Sequence, residues 1–381
     1  MLKELATEFV DVMKRRGVSE DMALKATESG YVVAPSAPTL TVMDCHYGYK
    51  ASGLFNIDDF ANYLKGVQPI ERSSSGVAVY RNVRDLQELQ EIASQPRHQR
   101  YISQGMTSFR GQVRDYWMTR PVPNPRTSDD QQRERIVIPS YWRAFLERPL
   151  IERNWGPADS IFKTILADPL VYHGIPDWQG LPSRNYERYG IHSVSDLEDF
   201  PEHENQEYFR RYMRHKVMPS SEYPLIEQHY GQSTIGLDVT FDLATAAFFA
   251  SHRWVGRQHG KATYEAIEPG QHGGVIYFFT FRDPLVKKTE YLVRELNVFQ
   301  HVPPIRPVRQ QCGLPAFHAN EISAAVRDLD AVLFLAPNFM NSGLPEAPYL
   351  FPVIDDPFYR ALIEQKRRLP EVWDWVVEYE F

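Results

Sequence analysis

The chain has 381 residues, 43% of them hydrophobic and 13% aromatic, and a formal net charge of -7. That much apolar material excludes a disordered chain, and the length calls for one large domain with insertions or for two domains. A sequence pI near 6.0 argues against a protein that coats nucleic acid over its whole surface, while leaving room for a local basic groove. Cys45 and Cys312 are too few and too far apart for a disulfide framework and suit a reducing compartment. No run of about 18 apolar residues occurs and the N-terminus has no apolar leader, so a cytoplasmic chain without a membrane span is expected.

Leu2, Leu5, Phe9, Val10 and Met13 recur at helical spacing, Gly17 is a stop, and Ser19 caps a second short helix. The pair is expected to pack on the body as a hairpin, with partner binding as the alternative. Residues 39–43 read as β-rich, 56–64 as a helix capped by Asn56, and 76–81 as a strand. A helix is expected over 82–94 with Leu86, Leu89 and Ile92 inward, then a strand over 106–111. Residues 120–131 have loop composition, 141–152 a helical pattern, and the polar stretch 153–222 reads as an insertion. Beyond it come a helix end at 225–230, a turn into a strand at 234–240 and an apolar helix at 243–252. Two buried strands, 273–281 and 331–335, precede a helix over 356–369 and an aromatic tail that packs back on the body. Helices and strands without strict alternation indicate an α+β fold. The expected division is an N-terminal segment 1–99, a central domain 100–355 and a C-terminal helix and tail 356–381.

Two segments carry chemistry. Ser108-Phe109-Arg110-Gly111-Gln112 ends a strand with an arginine whose planar fork grips phosphate or carboxylate; a salt-bridged structural arginine is the other reading. Arg126 follows on a Pro-rich loop. The second segment, Gln228-His229-Tyr230-Gly231, sets a proton-exchanging ring and a stacking ring in one turn, or else caps a helix end. Asp238 and Thr240 lie on the next short strand, where Asp238 can fix Arg110 or His229 and Thr240 can cap the following helix with Asp242. The basic run from Arg210 to Lys216 reads as a solvated helix face or a nucleic-acid contact. No P-loop, Gly-x-Gly-x-x-Gly, Gly-x-Ser-x-Gly or His-Glu-x-x-His occurs, and the histidines show no metal spacing with the cysteines.

Taken in order, Phe109-Arg110-Gly111-Gln112, Pro125-Arg126, Gln228-His229-Tyr230-Gly231, Leu237-Asp238-Val239-Thr240, Ala247-Phe248-Phe249-Ala250 and Gln311-Cys312-Gly313 resemble the FRG domain family. The likeness spans roughly 100–350, apart from the insertion. Ser233, Ile235, Gly236 and Val239 replace the family's usual Pro, Arg, Leu and Trp, so the family's arginine is missing at 235. More distantly the order is similar to the ADP-ribosyltransferase fold, with a split antiparallel or mixed central sheet around NAD. The resemblance implies an NAD-using transferase or glycohydrolase acting as a toxin or antiviral effector, or a non-catalytic module for a nucleotide, RNA or protein target. In it Arg110, His229, Tyr230 and Gln311 are the catalytic candidates, with Tyr230 or Phe248 stacking on the nicotinamide. Arg110, Gln112, Arg126, Gln228, Thr234, Asp238 and Thr240 would contact the nucleotide. NAD is the expected substrate and no metal is expected. The late ribose-side residue stays open between Glu295, Gln311 and Glu321.

Overall fold

The structure is a computed structural model, and it describes residues 2–34, 41–48, 53–72, 76–102, 107–139, 228–231, 237–256, 261–271, 273–280, 305–313, 323–368, 370 and 374–381. The expected helix at 141–152, the insertion at 153–222 with its basic run, and Thr234, Glu295 and Glu321 lie outside the described residues.

The N-terminal unit comprises α1 (Leu2–Arg15), α2 (Glu20–Glu28), β1 (Tyr31–Val33), β2 (Thr41–Asp44), β3 (Leu54–Asn56) and α3 (Ile57–Leu64). Ser19 Oγ caps α2 by accepting from Met22 N, and Asn56 Oδ1 caps α3 by accepting from Asp58 N and Asp59 N. Phe9 and Met13 of α1 are buried with Tyr31, Phe55 and Phe60, the Tyr31 and Phe60 rings lying 4.6 Å apart. The apolar face of α1 is thus spent on this core.

Then come β4 (Ala78–Val83), α4 (Leu86–Ala93), α5 (Pro96–Ile102), β5 (Thr107–Gln112), β6 (Trp117–Thr119) and β7 (Arg133–Arg135). The later elements are β8 (Val239–Thr240), α6 (Leu243–Ser251), β9 (His252–Gly256), β10 (Lys261–Ala266), β11 (Val275–Thr280), α7 (Ile305–Arg309), β12 (Cys312–Gly313), β13 (Leu329–Leu335), α8 (Ala347–Leu350), α9 (Pro357–Arg368) and β14 (Glu378–Tyr379). The fold is α+β. Its centre is a six-stranded mixed sheet in the order β12-β8-β5-β11-β13-β4, antiparallel except where β13 meets β4.

Alternation along the strands gives the sheet two apolar faces. Phe109, Ile276, Phe278 and Leu333 point to α6 and α4, while Tyr277, Phe279 and Val332 point to the other side. Asp242 Oδ2 caps α6 by accepting from Thr245 N at 2.8 Å. The alanines of α6 let its backbone lie directly on β5. A Cβ at Gly111 would overlap the Ala246 carbonyl oxygen and come 2.7 Å from Ala250 N, so only glycine fits there.

Three expectations change. β4 belongs to the central sheet, so the boundary at 99/100 cuts through one layer. Asn82, at a φ of 60°, distorts the end of β4, and α4 begins only after its Asp85 cap. The chain after α6 forms the β9–β10 hairpin, which the sequence reading lacked.

A buried charge cluster joins the N-terminal unit to the β6–β7 hairpin. Arg120 Nη2 lies 2.7 Å from both Asp44 Oδ2 and Glu134 Oε2, and both carboxylates are wholly buried. Tyr47 Oη and Asn124 N donate to Glu134, and Asn124 Nδ2 donates to Asp44. Burial pushes the Asp44 carboxyl up, but the Arg120 charge together with hydrogen bonds from His46 and Arg120 outweighs it and holds the group below the usual carboxylate range. Burial and Arg120 push His46 down, so its ring is neutral.

Replacing Gly111 with Ala should cost about 3 kcal/mol in urea unfolding, because backbone must move. Arg120→Met strands two buried carboxylates and should cost about 3–5 kcal/mol. Asp44 carries a depressed pKa, so its contribution is complete above its ordinary 3.8 and is lost as pH falls below that. Unfolding midpoints of Asp44→Asn should fall less steeply with acid than those of the unsubstituted protein.

Candidate functional site

Strands β5 and β8 pair at one position, Phe109 with Thr240. Just beyond it Arg110 and Gly111 of β5 and Asp238 and Val239 line a cavity of about 190 Å³. Arg110 Nη1 donates to the Asp238 carbonyl oxygen. Phe249 of α6 and Tyr264 of β10 form an aromatic wall, with Gln310 and Cys312 completing the lining. Tyr264 is itself stacked on Phe351 at 4.6 Å. Burial pushes the Cys312 thiol well up, which makes it a poor nucleophile.

His229 lies behind this cavity, outside its lining, next to Asp238 and Gln310. Gln310 Nε2 donates to the Leu350 carbonyl at 3.0 Å, which leaves its Oε1 facing His229 Nδ1 at 2.8 Å. A carbonyl only accepts, so the amide orientation follows, and Nδ1 must carry the proton. Burial lowers the pKa of His229 more than Asp238 and Gln310 raise it. The neutral ring therefore presents a bare Nε2, buried, without a hydrogen-bond partner among the described residues and 3.7 Å from Asp238 Oδ1. Lone pair and carboxylate repel, so this corner favours a proton or an incoming donor group. Thr240 Oγ1 donates to the Gln310 carbonyl at 2.6 Å and accepts from Asp242 N, fixing β8 to the Gln310 turn.

Tyr230 is wholly buried and does not line the cavity. Its hydroxyl donates to Asp356 Oδ2 at 2.7 Å. Burial pushes both the Tyr230 hydroxyl and the Asp356 carboxyl up. Arg306, also wholly buried, donates to the His229 carbonyl and lies 4.6–4.9 Å from the rings of Tyr230, Tyr359 and Tyr379. Gly231, at a φ of 123°, lets the C-terminal tail pass: a Cβ there would overlap the Trp375 carbonyl and come 2.7 Å from Val377 Cγ2. Val377 N then donates to the Tyr230 carbonyl.

The structure therefore brings Arg110, Asp238 and Thr240 together in one wall, with His229 a single residue behind them. It seats other candidates elsewhere. Arg126 donates to the Leu54 carbonyl and covers the Phe55 ring at 4.6 Å, so it belongs to the N-terminal unit. Gln112 is buried at the end of β5 outside the cavity, and Gln228 opens the short helical turn that carries His229. Gln311 is exposed, at a φ of 44°. The inward glutamine is Gln310, because the left-handed turn swings its neighbour outward. Phe248 is buried against His252 at 4.1 Å, and its neighbour Phe249 faces the cavity instead. Sequence reasoning missed Gln310, Phe249, Tyr264 and Arg306. The Gln310-Gln311 doublet was a usable signal for the first; Tyr264 depends on the unrecognised hairpin.

Long-range nitrogen–proton spectra should show His229 as the Nδ1–H tautomer near neutral pH. Its depressed pKa means that stability is complete above the ordinary 6.5 and declines as pH falls below it. Urea midpoints of His229→Gln should lack that component between pH 7 and 5; an unchanged slope would refute the assignment.

Compared with known proteins, the chain matches no protein-family model, no curated protein and no solved structure.

Proposed function

We propose that the cavity between β5 and β8 holds the nicotinamide–ribose end of NAD and that the protein is an ADP-ribosyltransferase-like or NAD-glycohydrolase-like enzyme of FRG type. The observation that carries this is the joint placement of a carboxylate, Asp238, and a buried imidazole beside an aromatic wall. About 190 Å³ lies below the ~300–1,000 Å³ of sites that enclose whole drug-sized ligands, so the cavity suits one ring and part of a sugar rather than the whole dinucleotide. Tyr264 and Phe249 would stack on the nicotinamide, and Arg110 would attract the pyrophosphate. Breaking the ribose–nicotinamide bond builds positive charge on the sugar, which the Asp238 carboxylate would stabilise. The attacking water or target hydroxyl would pass its proton to His229 Nε2. Consumption of NAD by such an enzyme would account for a toxin or antiviral role.

Binding without chemistry is the second reading. It is favoured by Arg110, part of whose fork is already used on the Asp238 carbonyl.

Incubation with NAD should release nicotinamide, and Asp238→Asn should lower that rate about 10²-fold while NAD still raises the melting temperature. A melting shift without nicotinamide release supports the second reading. Neither a shift nor release with NAD or ADP-ribose would refute both.

A further inference from the structure

At the other end of the sheet, β4 and α4 enclose a second cavity of about 320 Å³, on whose wall lies Tyr80. Behind Tyr80 stands His98, wholly buried, its ring edge-on to Phe278. His98 Nδ1 lies 2.5 Å from Asp330 Oδ2, and His98 Nε2 lies 3.0 Å from Tyr80 Oη. Burial pushes the Asp330 carboxyl up, but His98 and Arg97 outweigh it and keep it ionised. An ionised Asp330 holds the proton on Nδ1, so Nε2 faces the phenol as its acceptor. Carboxylate, imidazole and hydroxyl thus stand in line, in the order in which a general base activates a nucleophile.

Anchoring α5 to β13 needs only the His98–Asp330 pair. Tyr80 Oη, at the wall of an open cavity, has one proton and two acceptors, Gln95 Oε1 at 2.8 Å and His98 Nε2, so it can donate to Gln95 without His98 and must rotate its O–H toward Nε2 to react. Burial pushes the Tyr80 hydroxyl up, so the phenol keeps its proton at rest and loses it only as a new bond forms. Glu88, Glu91 and Arg81 also line the cavity, Glu88 is paired with Arg84 at 3.0 Å, and the Arg97 charge acts on the phenol, so charges of both signs surround it.

We propose that Tyr80 is the nucleophile of a second site, with His98 as its base and Asp330 as the positioning residue, acting on small acyl esters. Tyr80 Oη would bond to the acyl carbon as its proton passes to His98 Nε2. The ester C–O bond would break, and the departing alcohol would take that proton.

The probe is 4-(2-aminoethyl)benzenesulfonyl fluoride on the full chain, read by peptide mass mapping. Here the Oη–S bond forms, fluoride leaves, and the proton goes to His98. Tyr80 should label at least ~10-fold faster than Tyr349, which is 52% exposed and serves as an internal reference. That comparison needs no variant. His98→Gln, checked for folding by circular dichroism, should bring Tyr80 down to the Tyr349 rate. Asp330→Asn should move the pH profile of labelling, which a purely structural Asp330 would not do. Labelling of Tyr80 no faster than Tyr349 overturns the proposal.

Discussion

Arg306 is a wholly buried cation, and much of the candidate site hangs on how that is tolerated. A buried guanidinium is costly unless its field is answered. Here a peptide carbonyl takes one N–H and the faces of Tyr230, Phe351, Tyr359 and Tyr379 take the rest of the charge. Cation–π contacts of this kind are worth up to ~2 kcal/mol each when desolvated. The arrangement binds the His229 turn, the segment after α8, α9 and the tail into one body. It also sets the position of Gln310, which lies one turn further along the chain. The Tyr230 side chain, which reads like a ligand platform, is part of this support.

Within the site, geometry fixes the direction of each hydrogen bond. The Leu350 carbonyl orients the Gln310 amide, the amide orients the imidazole, and the imidazole then turns its Nε2 toward Asp238 on the cavity wall. A ligand group placed there must donate. A hydroxyl or water satisfies that condition and a second carboxylate does not.

The regular elements were legible because burial imposes a period. The strands at β11 and β13, the Ser19 and Asn56 caps and the apolar run of α6 are local signals, and each lies within a few residues of its expected place. Gly111 stood in the motif that marks β5, and the structure requires it for packing against Ala246. What the sequence left open depends on partners far away in the chain. Arg110, Arg120, Arg126 and Arg306 look alike in one dimension; one faces a cavity, one is locked by Asp44 and Glu134, one covers Phe55 and one is caged by rings. The choice between Gln310 and Gln311 turned on a single backbone angle. The β9–β10 hairpin, and Tyr264 with it, was hidden because its alternation is short and starts directly from a helix end.

The parallel pairing of β4 with β13 matches Ala78 to Ala331. No turn can bring such strands together, and the chain entropy of closing so long a loop is spent before the pair returns anything. β5 and β11 also pair across a long stretch of chain, so most of the sheet closes by long-range contacts. Refolding of this protein should be slow, with the N-terminal unit around Phe9 and Phe60 compact before the sheet is complete. During that interval strand edges stand uncovered, and concentration in the refolding mixture, rather than stability, will govern the yield of native protein.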